Sequence, residues 1–98
     1  MDRESVLMIL SKNSRLLRNY GVKGIHLFGS VARGEAESGS DVDLLVEFEP
    51  SAHIGMFEFS RLRRELSLFL GSDVDLATPD ALHNRMKEYI RRETIRAA

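Results

Sequence analysis

Three aspartates and one Gly-Ser turn carry residue types and spacings that could do chemistry. Gly29-Ser30 follows the apolar run Ile25–Phe28, and Asp41-Val42-Asp43 begins eleven residues after Ser30. Asp41–Asp43 opens a second apolar run, Leu44-Leu45-Val46, and Asp75 lies inside a further triplet, Val74-Asp75-Leu76. Residues i and i+2 of a strand point to one face, so Asp41 and Asp43 are neighbours there and Val42 turns away. Two like charges that close repel, and flanking Leu44 and Leu45 worsen the conflict. A divalent cation removes it, and hard carboxylate oxygens suit Mg²⁺. If the Asp75 strand lies beside them, three acids face one site. Two metals ~4 Å apart could then hold the attacking and leaving oxygens of an in-line displacement.

The Gly-Ser turn supplies the complementary half. Gly29 lets a ligand approach the backbone without a Cβ in the way. Ser30 offers a hydroxyl and an amide, and the following residues read as a helix start, where free N–H groups favour phosphate. Arg33 lies one turn on and could reach a phosphate oxygen. The Gly-Lys-Ser/Thr ending of a P-loop is absent. Each half alone has an ordinary alternative: Asp-x-Asp is more often a solvated turn, Gly-Ser a plain strand-to-helix connection, and Asp73 competes with Asp75. Together, in this order, they equip a phosphoryl-transfer site.

The elements that must position these residues follow from periodicity. Val6, Ile9, Leu10, Leu16, Leu17 and Tyr20 recur at helical spacing to about residue 20, where Gly21 stops them. Residues 24–28 read as a buried strand, 31–36 as a short helix and 42–49 as a second strand ended by Pro50. Phe59, Leu62, Leu66 and Phe69 line one face of a helix over about 57–70, ended by Gly71. Phe57 and Phe59 read as core. Residues 73–77 form a third strand, and Thr78-Pro79 reads as the start of a last helix to about 96, with Leu82, Met86, Tyr89 and Ile90 inward. The order is α-β-α-β-α-β-α, an α/β (α+β) domain with a small mixed sheet. His26 reads as a core or edge residue, while His53 and His83 lack partners at metal spacing. Glu35 reads as a solvated acid near the site. Arg85, Arg91, Arg92 and Arg96 read as a solvated helix face.

Composition narrows the classes. The chain has 98 residues and reads as one domain, 1–98. Fourteen basic and 15 acidic side chains leave a net charge of -1. That balance gives no drive toward nucleic acid, so direct nucleic-acid binding is not expected. Cysteine is absent, which excludes disulfides and thiolate metal sites and fits a reducing compartment. No run approaches the ~18 apolar residues of a membrane span. The N-terminus lacks the basic-then-apolar form of a signal peptide. The expectation is a soluble cytoplasmic domain.

The segments Leu27–Glu35, Ser40–Phe48 and Val74–Leu76 resemble those of the minimal nucleotidyltransferases (the MNT or MntA-like family) of the polymerase-beta-like nucleotidyltransferase superfamily. The similarity runs from about Gly21 to Ile95. It implies that fold, a bound ATP with Mg²⁺, and transfer of AMP to a hydroxyl with loss of pyrophosphate. By the resemblance, Gly29 and Ser30 hold phosphates, Asp41 and Asp43 bridge metal, and Asp75 is the third acid, which helps position and deprotonate the attacking hydroxyl. Members of the family are typically antitoxins paired with an all-helical HEPN ribonuclease toxin, and those studied add AMP to a toxin tyrosine. The alternative is a binding module that neutralises its partner by contact. At 98 residues there is no room for a helical acceptor-reading domain, so a partner chain is expected to complete the site.

Overall fold

A computed structural model describes residues 2–32, 34, 41–79 and 95–96. The first helix expected is in fact two. Helix α1 (Arg3–Lys12) starts at Asp2, whose carboxylate accepts the Ser5 N–H at 2.8 Å. Hydrogen bonding from Ser5, through its side chain first and its N–H second, holds the Asp2 carboxyl below its usual pKa. The helix stops at Asn13, whose Nδ2 donates to the Ile9 carbonyl at 2.7 Å. A short amide side chain that competes for a helix carbonyl in this way ends the regular ladder. Helix α2 (Ser14–Asn19) then resumes, and Gly21, with φ of 77°, turns the chain into the sheet.

Strand β1 (Val22–Phe28) is joined through α3 (Gly29–Ala32) to β2 (Val42–Phe48), and the two strands pair antiparallel. Helix α4 (Met56–Leu70) opens where Glu58 accepts the Gly55 N–H at 3.0 Å and closes at Gly71 in the left-handed region. It carries the chain over to β3 (Val74–Ala77), which runs parallel to β2. A fourth strand, β4 (Ile95–Arg96), pairs antiparallel with β1, giving the sheet order β3-β2-β1-β4. The last helix read from the sequence therefore does not extend to residue 96. Its middle, including Leu82, Met86, Tyr89 and Ile90, lies outside the described residues, as do His83 and Glu35.

Alternation in β2 shows how the layers form. Val42, Leu44 and Val46 are fully buried, whereas Asp43, Leu45 and Glu47 are half-buried. The buried set joins Ile25, Leu27, Val74 and Leu76 on one sheet face, against Val6, Leu10 and Leu17 of the first two helices and Leu62, Leu66 and Leu70 of α4. The helices α1, α2 and α4 thus cover one face, and the aspartates emerge on the other. Two assignments on α4 change. Leu70, not Phe69, completes the inward row, and Phe57 is 89% exposed rather than core. Phe59 does pack inward, its ring edge-on to Phe48 with centroids 6.4 Å apart. Among the described residues no helix is long and apolar enough to cross a membrane.

Candidate functional site

The site forms where β1 ends beside the start of β2. Phe28 lies opposite Asp43 in the antiparallel register. The next residue, Gly29, turns with φ of 76° into α3. A Cβ on Gly29 would overlap the Asp43 Oδ2 and sit 3.0 Å from its Cγ. Glycine is therefore required twice, for the positive φ and for the close packing of the turn on the carboxylate. Val31, buried in the core, pins α3 from beneath. Gly34 then turns away at φ of 73°, its N–H donating to the Val31 carbonyl at 3.1 Å. Ser30 is the second residue of α3, and Arg33 lies outside the described residues.

Asp41 stands just before β2 and is exposed, at the strand's mouth rather than within its ladder. Asp43 is the second residue of β2 and is half-buried. Asp75 is its register partner on the parallel strand β3 and is exposed. Neighbouring strands lie about 4.8 Å apart, so the two carboxylates leave the same face as neighbours. Of Asp73 and Asp75, the register places Asp75 beside Asp43. Asp73 precedes β3, and its backbone carbonyl accepts the Val42 N–H at 2.9 Å. That bond zips the mouths of β2 and β3 together, and Asp75 is the acid brought beside Asp43.

One positioning residue escaped the sequence reading. Ser67, in the last turns of α4, accepts the Val74 N–H through its Oγ at 3.1 Å. It fixes the residue before Asp75 to the helix that leads into it. A second polar pair lies further along the same sheet face: His26 Nε2 and Glu47 Oε1 are 2.8 Å apart. His26 thus sits on an interior strand with a carboxylate partner, neither in the core nor at an edge.

Chemically, a cation would meet hard oxygen donors here. Two carboxylates at strand spacing repel by ~1 kcal/mol in water and ~3 kcal/mol at an effective dielectric of 20. A cation between them reverses the sign. Among the described residues no three of His, Cys, Asp and Glu converge tightly enough to cage a metal unaided. The donor set suits an ion such as Mg²⁺, which keeps waters and is shared between one or two carboxylates and substrate phosphates.

Comparison with known proteins points the same way. The nucleotidyltransferase domain family matches residues 9–97. The protein adenylyltransferase MntA of Thermococcus cleftensis is 38% identical over 95 residues, 94% of this chain and 92% of its own length. A solved structure described as a candidate minimal nucleotidyltransferase is 37% identical and superposes with a TM-score of 0.82 over 97% of this chain and 95% of that one. At 21% identity and a TM-score of 0.67, the fold is shared with a complex of a tri-AMPylated Shewanella oneidensis HEPN toxin and its MNT antitoxin, over 95% of this chain and 71% of that one. A match spanning nearly the whole chain places it, by descent as well as by fold, in the nucleotidyltransferase domain family, among the minimal, MntA-like protein adenylyltransferases.

Proposed function

We propose that this chain takes ATP with Mg²⁺ and transfers AMP to a tyrosine hydroxyl of a HEPN toxin, acting in the cytoplasm as the antitoxin of that pair. The observation that carries the reading is the facing of Asp43 and Asp75 across β2 and β3, with Gly29 packed on the Asp43 carboxylate. The relative from Thermococcus cleftensis, named as a protein adenylyltransferase, supports the reaction class. The fold shared with an AMPylated HEPN toxin complex supports the partner.

In this reading Asp41, Asp43 and Asp75 would hold the metal together with the substrate phosphates, which would supply the oxygens that the carboxylates alone do not. Backbone amides at Gly29-Ser30 hold the triphosphate, and Ser30 and Arg33 add phosphate contacts through their side chains. Bound Mg²⁺, as one or two ions, would neutralise charge on the phosphates and the leaving pyrophosphate. Asp75 orients the acceptor hydroxyl and takes its proton. The hydroxyl oxygen bonds to the α-phosphorus, the bond from that phosphorus to the bridging oxygen breaks, and pyrophosphate leaves with the electron pair. The step is in-line, so most of the barrier reduction comes from positioning and charge.

The test is direct. The chain, MgCl₂, ATP and the cognate HEPN protein are incubated, and the intact mass of the HEPN protein is measured. Mass increments of whole AMP units, absent with Asp41→Asn/Asp43→Asn, are expected. Unmodified HEPN protein that is nonetheless fully neutralised by that double variant would overturn the transfer reading in favour of neutralisation by contact.

A further inference from the structure

Helix α4 buries one side and leaves an unusual stripe on the other. Phe57, Arg61, Arg64 and Leu68 are all exposed and recur at spacings of four, three and four residues. At 100° per residue these positions fall within one narrow arc, opposite the buried Leu62, Leu66 and Leu70. Phe57 is 89% and Leu68 81% exposed. Phe57 and Leu68 bracket Arg61 and Arg64 on this arc, so the exposed face carries an apolar side chain at each end and two guanidinium groups between them. The 4-3-4 spacing is the seam along which a second helix packs.

The charges on the seam select its occupant. Arg61 and Arg64 form no ion pair among the described residues. The nearby carboxylates on α4 are engaged: Glu58 accepts the Gly55 N–H and Glu65 accepts the Tyr20 hydroxyl. A second copy of this chain fits poorly. Antiparallel self-packing sets Arg61 against Arg64, and parallel packing sets each arginine against itself. The complement is a helix with apolar residues at both ends of a three-turn stretch and carboxylates between them.

We infer that the outer face of α4 is a docking seam for an acidic amphipathic helix of a partner protein. The inference rests on the reading that the chain works with a protein partner, but it does not require AMP transfer. The seam lies on the helix-covered side of the sheet, whereas Asp43 and Asp75 emerge on the opposite side. The grip on a partner is thus separate from the chemistry.

The test uses the full chain and the HEPN protein of the transfer assay. Affinity is measured by calorimetry for wild type, Phe57→Ser/Leu68→Ser and Arg61→Glu/Arg64→Glu. Both double variants should bind at least tenfold more weakly, with unchanged melting temperature and unchanged Mg²⁺·ATP affinity. Lysine substitutions at acidic positions of one HEPN helix should restore binding to the Arg61→Glu/Arg64→Glu chain and to no other. Three outcomes overturn the inference: wild type binding no better than both variants, wild-type self-association that the variants abolish, or RNA binding that the arginine variant alone loses. Loss of the AMP adduct with wild-type affinity intact would count against the transfer reading and leave the seam standing.

Discussion

Gly29 packs its Cα against the carboxyl of Asp43, so closely that a Cβ there would lie 3.0 Å from the Asp43 Cγ. The Gly29-Ser30 turn and Asp43 are thus packed as one unit at the end of β1.

Gly29→Ala should therefore cost more than its backbone strain. The left-handed φ alone costs about 1–2 kcal/mol for a non-glycine residue. Displacing Asp43 should add loss of Mg²⁺·ATP binding. Gly71→Ala is the matched control, with φ of 68° and nothing within 4 Å of the added methyl. Urea unfolding should show a similar strain for both variants, while calorimetric nucleotide binding should fail only for Gly29→Ala.

Asp43→Asn and Asp75→Asn should each reduce transfer by about 10²–10³-fold, the range seen when a group that stabilises transition-state charge is removed. Mg²⁺ with a non-hydrolysable ATP analogue should raise the wild-type melting temperature, by about 2.7 kcal/mol of stability at a hundredfold excess over Kd. That stabilisation should vanish in Asp43→Asn. Circular dichroism should show both variants folded, since Asp75 is exposed and Asp43 only half-buried.

The two faces of α4 should respond oppositely to truncation. Leu66→Ala removes a fully buried side chain and should destabilise by about 2–5 kcal/mol. Phe57→Ser, at 89% exposure, should stay within about 0.5 kcal/mol of wild type. Equal destabilisation by both in chemical denaturation would contradict the inward row Leu62, Leu66 and Leu70.

Tyr20 ties α2 to α4, its hydroxyl donating to Glu65 Oε2 at 2.8 Å. Partial burial first, and the Glu65 carboxylate second, raise its pKa above the ordinary value of 10.0. A phenol harder to ionise when folded stabilises below pH 10, and this contribution is lost as pH rises through the folded pKa. Unfolding free energy measured from pH 9 to 11 should fall, and Tyr20→Phe should flatten part of that fall. At neutral pH the same variant should cost about 0.5–1.5 kcal/mol.

Much of this architecture is readable from patterns. Alternation in Val42–Phe48, the apolar row on α4, and Gly21 and Gly71 at helix ends each follow from local periodicity or backbone freedom. What was hidden has identifiable causes. A two-residue strand such as Ile95–Arg96 has no period to detect, and only its pairing with His26 and Leu27 defines it. Phe69 and Leu70 both fit the spacing from Leu66, so periodicity could not choose between them. The Asn13 break depends on one side-chain hydrogen bond to Ile9. At the site, the types and order of Gly29, Asp41, Asp43 and Asp75 were legible. The facing of Asp43 with Asp75, and the Ser67 bond that secures it, needed the parallel register.

That register has a consequence for how the molecule becomes active. Asp43 and Asp75 are 32 residues apart in sequence (75 − 43), with all of α4 between them. Their strands form the sheet's one parallel pair among the described residues, and β3 lies at one edge of the sheet, with β4 at the other. A nascent chain can close the β1–β2 hairpin with Gly29 against Asp43 while still lacking the third acid. If Asp75 acts as proposed, a chain that has closed only the β1–β2 hairpin lacks one of its acids, and the site is complete only once β3 has docked beside β2.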